Sequence, residues 1–152
     1  GFEIAQGRLG PGRIHHCMRL IGKAERALDL MCKRVKERIT FGKPIADNQG
    51  LQWLLADMMK DITAARALVH RAAMAMDAGL PATMDCSIAK CFASDMAVQH
   101  TANAVQIFGG CGYMRGFEVE RLDRDVKIKQ IYDGTNEIQR LVIAKESFLP
   151  RS

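Results

Sequence analysis

One short stretch near the carboxyl end of the chain joins an acidic side chain to a predicted helix start: residues 130–140, Q-I-Y-D-G-T-N-E-I-Q-R. Asp133 and Gly134 are typical of a turn, and Thr135 is placed to cap the helix that follows. A carboxylate at a turn can face a cleft and exchange a proton, and free N–H groups at a helix start favour an anion. The alternative is an ordinary Asp-Gly turn before a capped helix, and spacing alone does not separate the two. In both cases we expect the buried side of the helix to carry Ile138, Leu141 and Val142.

The cysteines and histidines, which also carry chemistry of their own, show no metal-binding pattern. Five cysteines occur, without a Cys-x-x-Cys pair or a zinc-like spacing with histidine. His15, His16 and Cys17 are consecutive, but neighbouring residues of a helix point in different directions. We therefore predict no metal site, and we expect reduced, partly buried thiols in an intracellular protein. The sequence does not distinguish the bacterial cytoplasm from the mitochondrial matrix.

Charge and hydropathy argue against two further classes of function. The net charge is +5, and the densest basic run, 33–38, spreads around a helix instead of forming one basic face. No apolar run approaches the ~18 residues needed to cross a bilayer. We therefore predict neither nucleic-acid binding nor a membrane span. The chain starts with Gly1 and shows no signal-peptide pattern, so we expect a processed chain or part of a longer protein.

The elements that must position these residues are predicted to be helices. The chain is rich in Ala and Met and poor in β-branched residues, and its 152 residues suffice for one domain with a core. We interpret 1–12 as a lead-in that ends in a turn at Gly10-Pro11-Gly12, because Gly and Pro interrupt helices. The second helix should begin after a cap at Asp47 or Asn48. The predicted long helices run from residue 13 to about 38, from that cap to the turn at 79–81, and from 83 or 84 to 108. A short irregular piece with one or two helical turns near 119–127 follows, and the last helix runs from about 136 to 148.

The apolar residues of the long helices recur in steps of three and four, as in helices that pack on one another. In the second helix they are Leu51, Leu55, Met58, Ile62, Ala65, Val69, Ala72 and Met76. In the third they are Ala89, Phe92, Met96, Ala97, Ala104, Val105 and Phe108. Short connections make sequential helices antiparallel. We predict an all-α, up-down helical bundle that forms one domain over residues 1–152.

Several motifs, taken together and in order, resemble a known family. They are E-R-I-T-F-G-K at 37–43, N-Q at 48–49, Q-I-F-G-G-C-G-Y at 106–113, R-D at 124–125, and the stretch 130–140. This set resembles the C-terminal helical domain of flavin-dependent acyl-CoA dehydrogenases, over essentially the whole chain. The resemblance implies a parent protein with an N-terminal helical domain and a middle β-domain, both absent from this chain.

The resemblance also implies an activity for that parent. Family members use FAD to oxidise an acyl-CoA thioester to the trans-2-enoyl-CoA, and they pass the electrons to an electron-transferring flavoprotein. They form homo-oligomers, dimers or tetramers, with FAD at a subunit interface. Two alternatives stay open: an acyl-CoA oxidase-like enzyme that returns electrons to oxygen, and a non-catalytic helical assembly module with the same fold.

Residue roles follow from the resemblance, position by position. Asp133 stands where many members place the catalytic base, and its backbone N–H would bind the thioester carbonyl. Tyr132 and Gly134 would lie against the substrate, and Arg13 resembles a substrate-side arginine. The residues implied to contact FAD, in part that of a neighbouring subunit, are Arg38, Thr40, Phe41, Gln106, Gly109, Gly110, Thr135 and Glu137.

Each of these motifs also has a purely structural interpretation. Arg38 is placed to interact with the negative end of the first helix dipole. Gly109 and Gly110 are typical of a helix end, and Gln106 suits a solvated last turn. The nine methionines favour core filling over an acyl channel.

Two departures from the family pattern concern the proposed base. The usual residue at the place of Asp133 is Glu, so the carboxylate here is one methylene, ~1.5 Å, shorter. A displacement of about 1 Å can reduce a rate on the order of 10²-fold. Some members place the base at the start of the first long helix, but the matching residue here is Gly12, which carries no acid. Because the other domains are absent, we expect the isolated chain to bind FAD weakly or not at all and to show no turnover.

Overall fold

Three long helices frame the molecule in the computed structural model, which describes the backbone of residues 2–148 and the side chains of residues 9–148. They are α1 (Phe2–Glu37), α2 (Gln49–Asp77) and α3 (Thr83–Phe108). The remaining elements are β1 (Ile39–Thr40), β2 (Lys43–Pro44), α4 (Gly110–Tyr113), α5 (Glu118–Lys127) and α6 (Asn136–Phe148), with 3-10 turns at Ile45–Asp47 and Ile128–Gln130. The central helix is α3, which packs on α1, α2, α4, α5 and α6. The predicted all-α bundle is confirmed.

The core lies between α1, α2 and α3, where the predicted periodicity holds. The buried side of α2 carries Met58, Ile62, Ala65, Val69 and Ala72, all from the predicted seam. Small residues on α3 let the helices approach closely; they include Ala89, Ala93, Ala97 and Ala104. Phe92 was expected on the apolar face but is 36% exposed. It lines an open cleft with residues of α2 and α6, because no element covers the groove between those helices.

The lead-in predicted over 1–12 is wrong. Helix α1 runs without a break from Phe2 to Glu37, with Pro11 inside it. Proline removes one N–H donor and crowds the preceding turn, but Pro11 is exposed and the Cβ positions of Gly10 and Gly12 face open space. Packing of Ile14 and Cys17 in the core holds the helix where local propensity would end it.

A two-stranded hairpin, which the sequence analysis did not foresee, follows α1. Thr40 pairs with Lys43 and Ile39 with Pro44. The two residues at its tip both have positive φ, 51° at Phe41 and 81° at Gly42, as two-residue hairpin turns of this kind require. Because Thr40 and Phe41 belong to this hairpin, they do not continue any face of helix α1.

Helix α6 is rotated relative to the expected orientation, so that only one of the three residues expected on its buried side is partly buried. Ile138 is 46% exposed and Leu141 is 65% exposed, whereas Val142 is half-buried. The buried residues of α6 are polar: Asn136 and Gln139. Polar groups on α3 and in the preceding turn supply their hydrogen bonds, so the contact favours the polar side of α6.

Candidate functional site

The turn that carries Asp133 is held by long cationic side chains from two helices. Lys90, on α3 and 2% exposed, donates through Nζ to the carbonyl of Gly134 at 2.8 Å and to Asn136 Oδ1 at 2.8 Å. Arg13, on α1 and also buried, donates through Nε to the carbonyl of Asp133 at 3.3 Å. Burial lowers the pKa of Lys90. Buried donors therefore fix the turn by its carbonyl oxygens. Within the turn, Asp133 and Gly134 both have positive φ, 55° and 88°.

A buried polar network fixes the start of α6. Asn136 Nδ2 lies 2.7 Å from Ser94 Oγ and donates to Asp95 Oδ1 at 2.6 Å. Gln139 Nε2 donates to the carbonyl of Gly134 at 3.1 Å. Thr135 Oγ1 accepts from the N–H of Ile138 at 3.3 Å, so the predicted cap is present. A hydrogen bond from the backbone N–H of Glu137, followed by one from the Thr135 hydroxyl, lowers the pKa of the exposed Glu137.

The carboxylate of Asp133 faces α1, where it meets His16. Nε2 of His16 lies 2.6 Å from Oδ2 of Asp133, and the two side chains are 19% and 30% exposed. The two atoms are in close contact without the alignment of a hydrogen bond, and the buried Oδ2 has no aligned donor among the described residues. In the described part of the chain, no hydrogen bond uses the N–H of Asp133.

Tyr132 and Lys129 extend this arrangement on the other side of the imidazole. Nδ1 of His16 lies 3.0 Å from Tyr132 Oη and 3.4 Å from Lys129 Nζ. Lys129 is 6% exposed and its ammonium also donates to Tyr132 Oη. Burial lowers the pKa of His16 and of Lys129, while burial and the nearby Asp133 raise the pKa of Tyr132. Four titratable side chains therefore meet at one end of the bundle.

The sequence analysis assigned Asp133, Tyr132, Gly134 and Arg13 to this region, and the structure brings all four together. It did not identify Lys90, His16 or Lys129. One signal pointed to His16: with Arg13 it forms an i, i+3 pair, which shares one helix face. Lys90 lies on a helix packed in the core, where sequence spacing gives no sign that a cation has carbonyl partners.

A second group of assigned residues surrounds a cleft of ≈ 520 Å³ near the hairpin. Arg38, Thr40, Gly109 and Gly110 line it together, although they come from the hairpin segment and the end of α3. Gly109 has a φ of 63° and ends α3. The cleft brings a guanidinium, a hydroxyl and bare glycine backbone together, a combination that suits a phosphate.

Two assigned residues lie outside the lining of this cleft. Gln106 is exposed on the last turns of α3. Phe41, at the tip of the hairpin, is 103% exposed. Both side chains face solvent in the described part of the chain.

Arg34, which the sequence analysis treated as part of a solvated basic run, also lines the cleft. Its guanidinium lies 5.4 Å from the centroid of the Phe108 ring, and Nη2 donates to the carbonyl of Phe108 at 3.5 Å. Its Nε is buried and has no acceptor among the described residues. An unused buried donor beside Arg38 is consistent with an anionic ligand in the cleft.

The residues around Asp133 (the Asp133 group) and those that line the cleft lie at different points along α1. Arg13 belongs to the Asp133 group and Arg34 to the cleft, and at 1.5 Å per residue they are roughly 30 Å apart along the helix axis. Thr135 and Glu137 lie with Asp133. The residues that the resemblance implied to contact FAD therefore form two separate groups on one chain.

No cluster of three or more His, Cys, Asp or Glu side chains is arranged to hold a metal ion within residues 9–148. In the same described part, no helix has the length and apolar content to cross a membrane.

Comparison with known proteins identifies the fold and its relatives. The family model described as acyl-CoA dehydrogenase, C-terminal domain, matches residues 1–148. An acyl-CoA dehydrogenase of Bacillus subtilis is 51% identical over 95% of this chain, and an acryloyl-CoA reductase (NADH) of Anaerotignum propionicum is 51% identical over 96%. The chain spans 38% and 37% of these two relatives.

Solved structures show the same relationship. Butyryl-CoA dehydrogenase from Megasphaera elsdenii superposes with a TM-score of 0.95 at 46% identity, covering 98% of this chain and 39% of that one. A chain from the study of the electron transferring flavoprotein of Acidaminococcus fermentans gives 0.94 at 46% identity, covering 97% of this chain and 39% of that one. Since the family model covers nearly all of the chain and the fold agrees, this chain belongs to the acyl-CoA dehydrogenase C-terminal domain family.

Proposed function

We propose that this chain is the C-terminal domain of a flavin-dependent acyl-CoA dehydrogenase, an enzyme that converts an acyl-CoA thioester to the trans-2-enoyl-CoA. The observation that carries the proposal is the carboxylate of Asp133 on a turn with positive φ at both central residues. Buried Lys90 and Arg13 fix that turn by its carbonyl oxygens. Maintaining such backbone strain with buried cations is typical of a functional turn.

Asp133 is the proposed base for the α-proton of the thioester. Removal of this proton places negative charge on the thioester carbonyl oxygen, and the N–H of Asp133 is the proposed donor to that oxygen. Tyr132 would line the acyl site beside the carboxylate, and Gly134 would allow the substrate to approach the backbone. Arg13 lies under the turn as a buried donor, which supports a positioning role more directly than contact with the substrate.

The cleft near the hairpin fits the phosphate-bearing part of FAD. Arg38 and the unpaired Nε of Arg34 would hold the negative charge, and Thr40, Gly109 and Gly110 would approach the ligand with a hydroxyl and bare backbone. FAD, when bound, supplies the acceptor for the hydride of the β-carbon. Phe41 and Gln106 are exposed outside the cleft and are proposed to contact the more distant parts of the cofactor.

The distance between the two groups supports a homo-oligomer, a dimer or a tetramer. The Asp133 group, with Thr135 and Glu137, would contact the flavin used by its own chain. The cleft, roughly 30 Å away along α1, would hold the adenosine and phosphate end of a neighbouring subunit's cofactor. An electron-transferring flavoprotein is the proposed electron acceptor. The absence of disulfides among the five cysteines supports a reducing compartment inside the cell.

A second candidate is the reverse reaction, reduction of a 2-enoyl-CoA. The relative named acryloyl-CoA reductase (NADH) is as similar to this chain as the one named acyl-CoA dehydrogenase, at 51% identity. The same carboxylate would then deliver the proton to the α-carbon, so the geometry around Asp133 serves both directions.

Flavin reduction in the full-length protein tests these proposals. A panel of acyl-CoA and 2-enoyl-CoA thioesters is added without oxygen, to the oxidised and to the reduced protein. Bleaching by acyl-CoAs that persists until an electron acceptor is added supports the dehydrogenase. Rapid reoxidation by air indicates an oxidase, and oxidation of reduced flavin only by enoyl-CoAs indicates a reductase. No change with any thioester would leave a non-catalytic assembly module and overturn the proposal.

The role of Asp133 has its own test. We expect Asp133→Asn to abolish exchange of the substrate α-proton with deuterated water in the full-length protein, because the amide cannot accept the proton. The matched control is Asp29→Asn, an exposed position on α1, which should leave the exchange rate unchanged. Retention of exchange in Asp133→Asn would assign the base to another group.

A further inference from the structure

The side chain nearest to the proposed base is a histidine to which neither the turn motif nor the family resemblance gives a role. His16 projects from α1, and its Nε2 lies 2.6 Å from Oδ2 of Asp133. Its Nδ1 lies 3.0 Å from Tyr132 Oη, with the two rings 4.6 Å apart between centroids. The imidazole therefore bridges a phenol and the carboxylate of the base.

Lys129 determines the hydrogen-bond direction in this bridge. Its ammonium donates to Tyr132 Oη and lies 3.4 Å from Nδ1 of His16. An ammonium only donates, whereas a phenol can accept and donate. Tyr132 therefore accepts from Lys129 and directs its own proton to Nδ1. With Nδ1 accepting, the proton of the neutral ring is assigned to Nε2, the nitrogen that faces Asp133.

The surroundings keep this ring neutral at pH 7. Burial has the largest effect and lowers the pKa of His16 below its usual 6.5. Lys129 from the turn segment and His15 and Arg19 from α1 lower it further, while Asp133 raises it. The ring consequently gains its second proton only in acid, where it becomes a cation next to the carboxylate.

We propose that His16 is the positioning residue of the base: its Nε2 edge, 2.6 Å from Oδ2 without an aligned hydrogen bond, holds the Asp133 carboxylate in place while Tyr132 and Lys129 fix the ring. This inference rests on the proposed function in assigning Asp133 as the base. The side chain at 133 is one methylene shorter than the usual Glu, so its reach depends on one orientation. With Oδ2 held against His16, Oδ1 is left to accept the α-proton.

The kinetic test uses His16→Phe and His16→Gln in the full-length protein. Phe removes the donor, so we expect α-proton exchange to fall roughly 10- to 100-fold, in line with a displacement of about 1 Å, with the Kd of the thioester within about twofold. Gln keeps an N–H donor and should retain more of the rate than Phe. The control His15→Gln, on the exposed neighbour, should match the wild type.

The pH profile separates positioning from a merely structural role. In the wild type, exchange should decline as pH falls below 6.5, because protonated His16 pairs with the carboxylate and competes with the α-proton. Both His16 variants should lose that inflection. A packing defect would lower stability or flavin content and leave the inflection in place. Exchange rate and profile unchanged in His16→Phe would overturn the proposal.

A readout without turnover tests the contact itself. In full-length protein with labelled histidine, nuclear magnetic resonance should show His16 as the Nε2–H tautomer, its signal being identified by its loss in His16→Gln. Asp133→Asn should shift the pKa of this ring further down, since the carboxylate is the group that raises it. An Nδ1–H tautomer would overturn the proposal. If the wild type shows the expected tautomer and shift but exchanges no α-proton, the proposed function fails and the contact stands.

Discussion

Backbone geometry at single residues decides whether the turn can present Asp133. Gly134 has a φ of 88°, and a Cβ there would lie 2.6 Å from Nε2 of the buried Gln139. We expect Gly134→Ala to lower the free energy of unfolding by about 2–3 kcal/mol, combining left-handed strain of ~1–2 kcal/mol with the displacement of a buried donor. Urea unfolding followed by circular dichroism measures it.

The matched control for this prediction is Gly42→Ala in the hairpin. Gly42 has a φ of 81°, but a Cβ there meets nothing within 4 Å, so only the strain of ~1–2 kcal/mol applies. Equal losses of stability for the two variants would show that Gln139 moves aside without cost.

The residues of this turn were predictable because turn signals are local. Lys90 and His16 were not, because periodicity marks a helix face without showing what a charged side chain meets there.

At the scale of the element, α1 shows packing prevailing over a local breaker. Pro11 lies inside a 36-residue helix although it cannot donate to the preceding turn. We expect Pro11→Ala to raise the free energy of unfolding by about 1–2 kcal/mol. Replacing Pro by Ala in a helix interior stabilises the folded state by up to ~3 kcal/mol. Because Ala also gives the unfolded chain more conformational freedom, part of that stabilisation is offset. Urea unfolding and the helical signal in circular dichroism both report it.

Pro81→Ala is the control, since Pro81 is exposed in the connection between α2 and α3. There the substitution only frees the unfolded chain, so stability should fall by no more than ~1 kcal/mol. A loss at Pro11 as well would mean that proline helps to shape α1. The bounds of α2, α3 and α6 were predictable from turn signals and periodicity, whereas α5 was predicted only as one or two helical turns. The face of α6 was not, because its polar residues pack inward on the Lys90 network, which leaves Ile138 and Leu141 exposed.

At the scale of the whole molecule, one chain carries two separate groups of candidate site residues. The Asp133 group and the cleft near Arg38 are roughly 30 Å apart along α1, and apolar side chains such as Leu141 remain exposed on the outer side of α6. The family resemblance predicted many members of both groups, but not Lys90, His16, Lys129 or Arg34. The separation of the groups became visible only in the structure, because the sequence does not show that Asp133 packs beside Arg13 or that Gly109 lines one cleft with Arg38.

Mixed oligomers of the full-length protein test whether two chains complete each site. Asp133→Asn removes the base and Arg38→Ala weakens the cleft, so at limiting FAD each variant alone should be inactive. In randomly mixed dimers half the molecules are hybrids, and one of the two sites in each hybrid carries neither substitution. We therefore expect about a quarter of the wild-type α-proton exchange. Mixing Asp133→Asn with Thr135→Ala should restore nothing, because both residues belong to the same group. If each site were instead built from one chain alone, every site would carry the substitution of that chain. Every mixture would then be inactive.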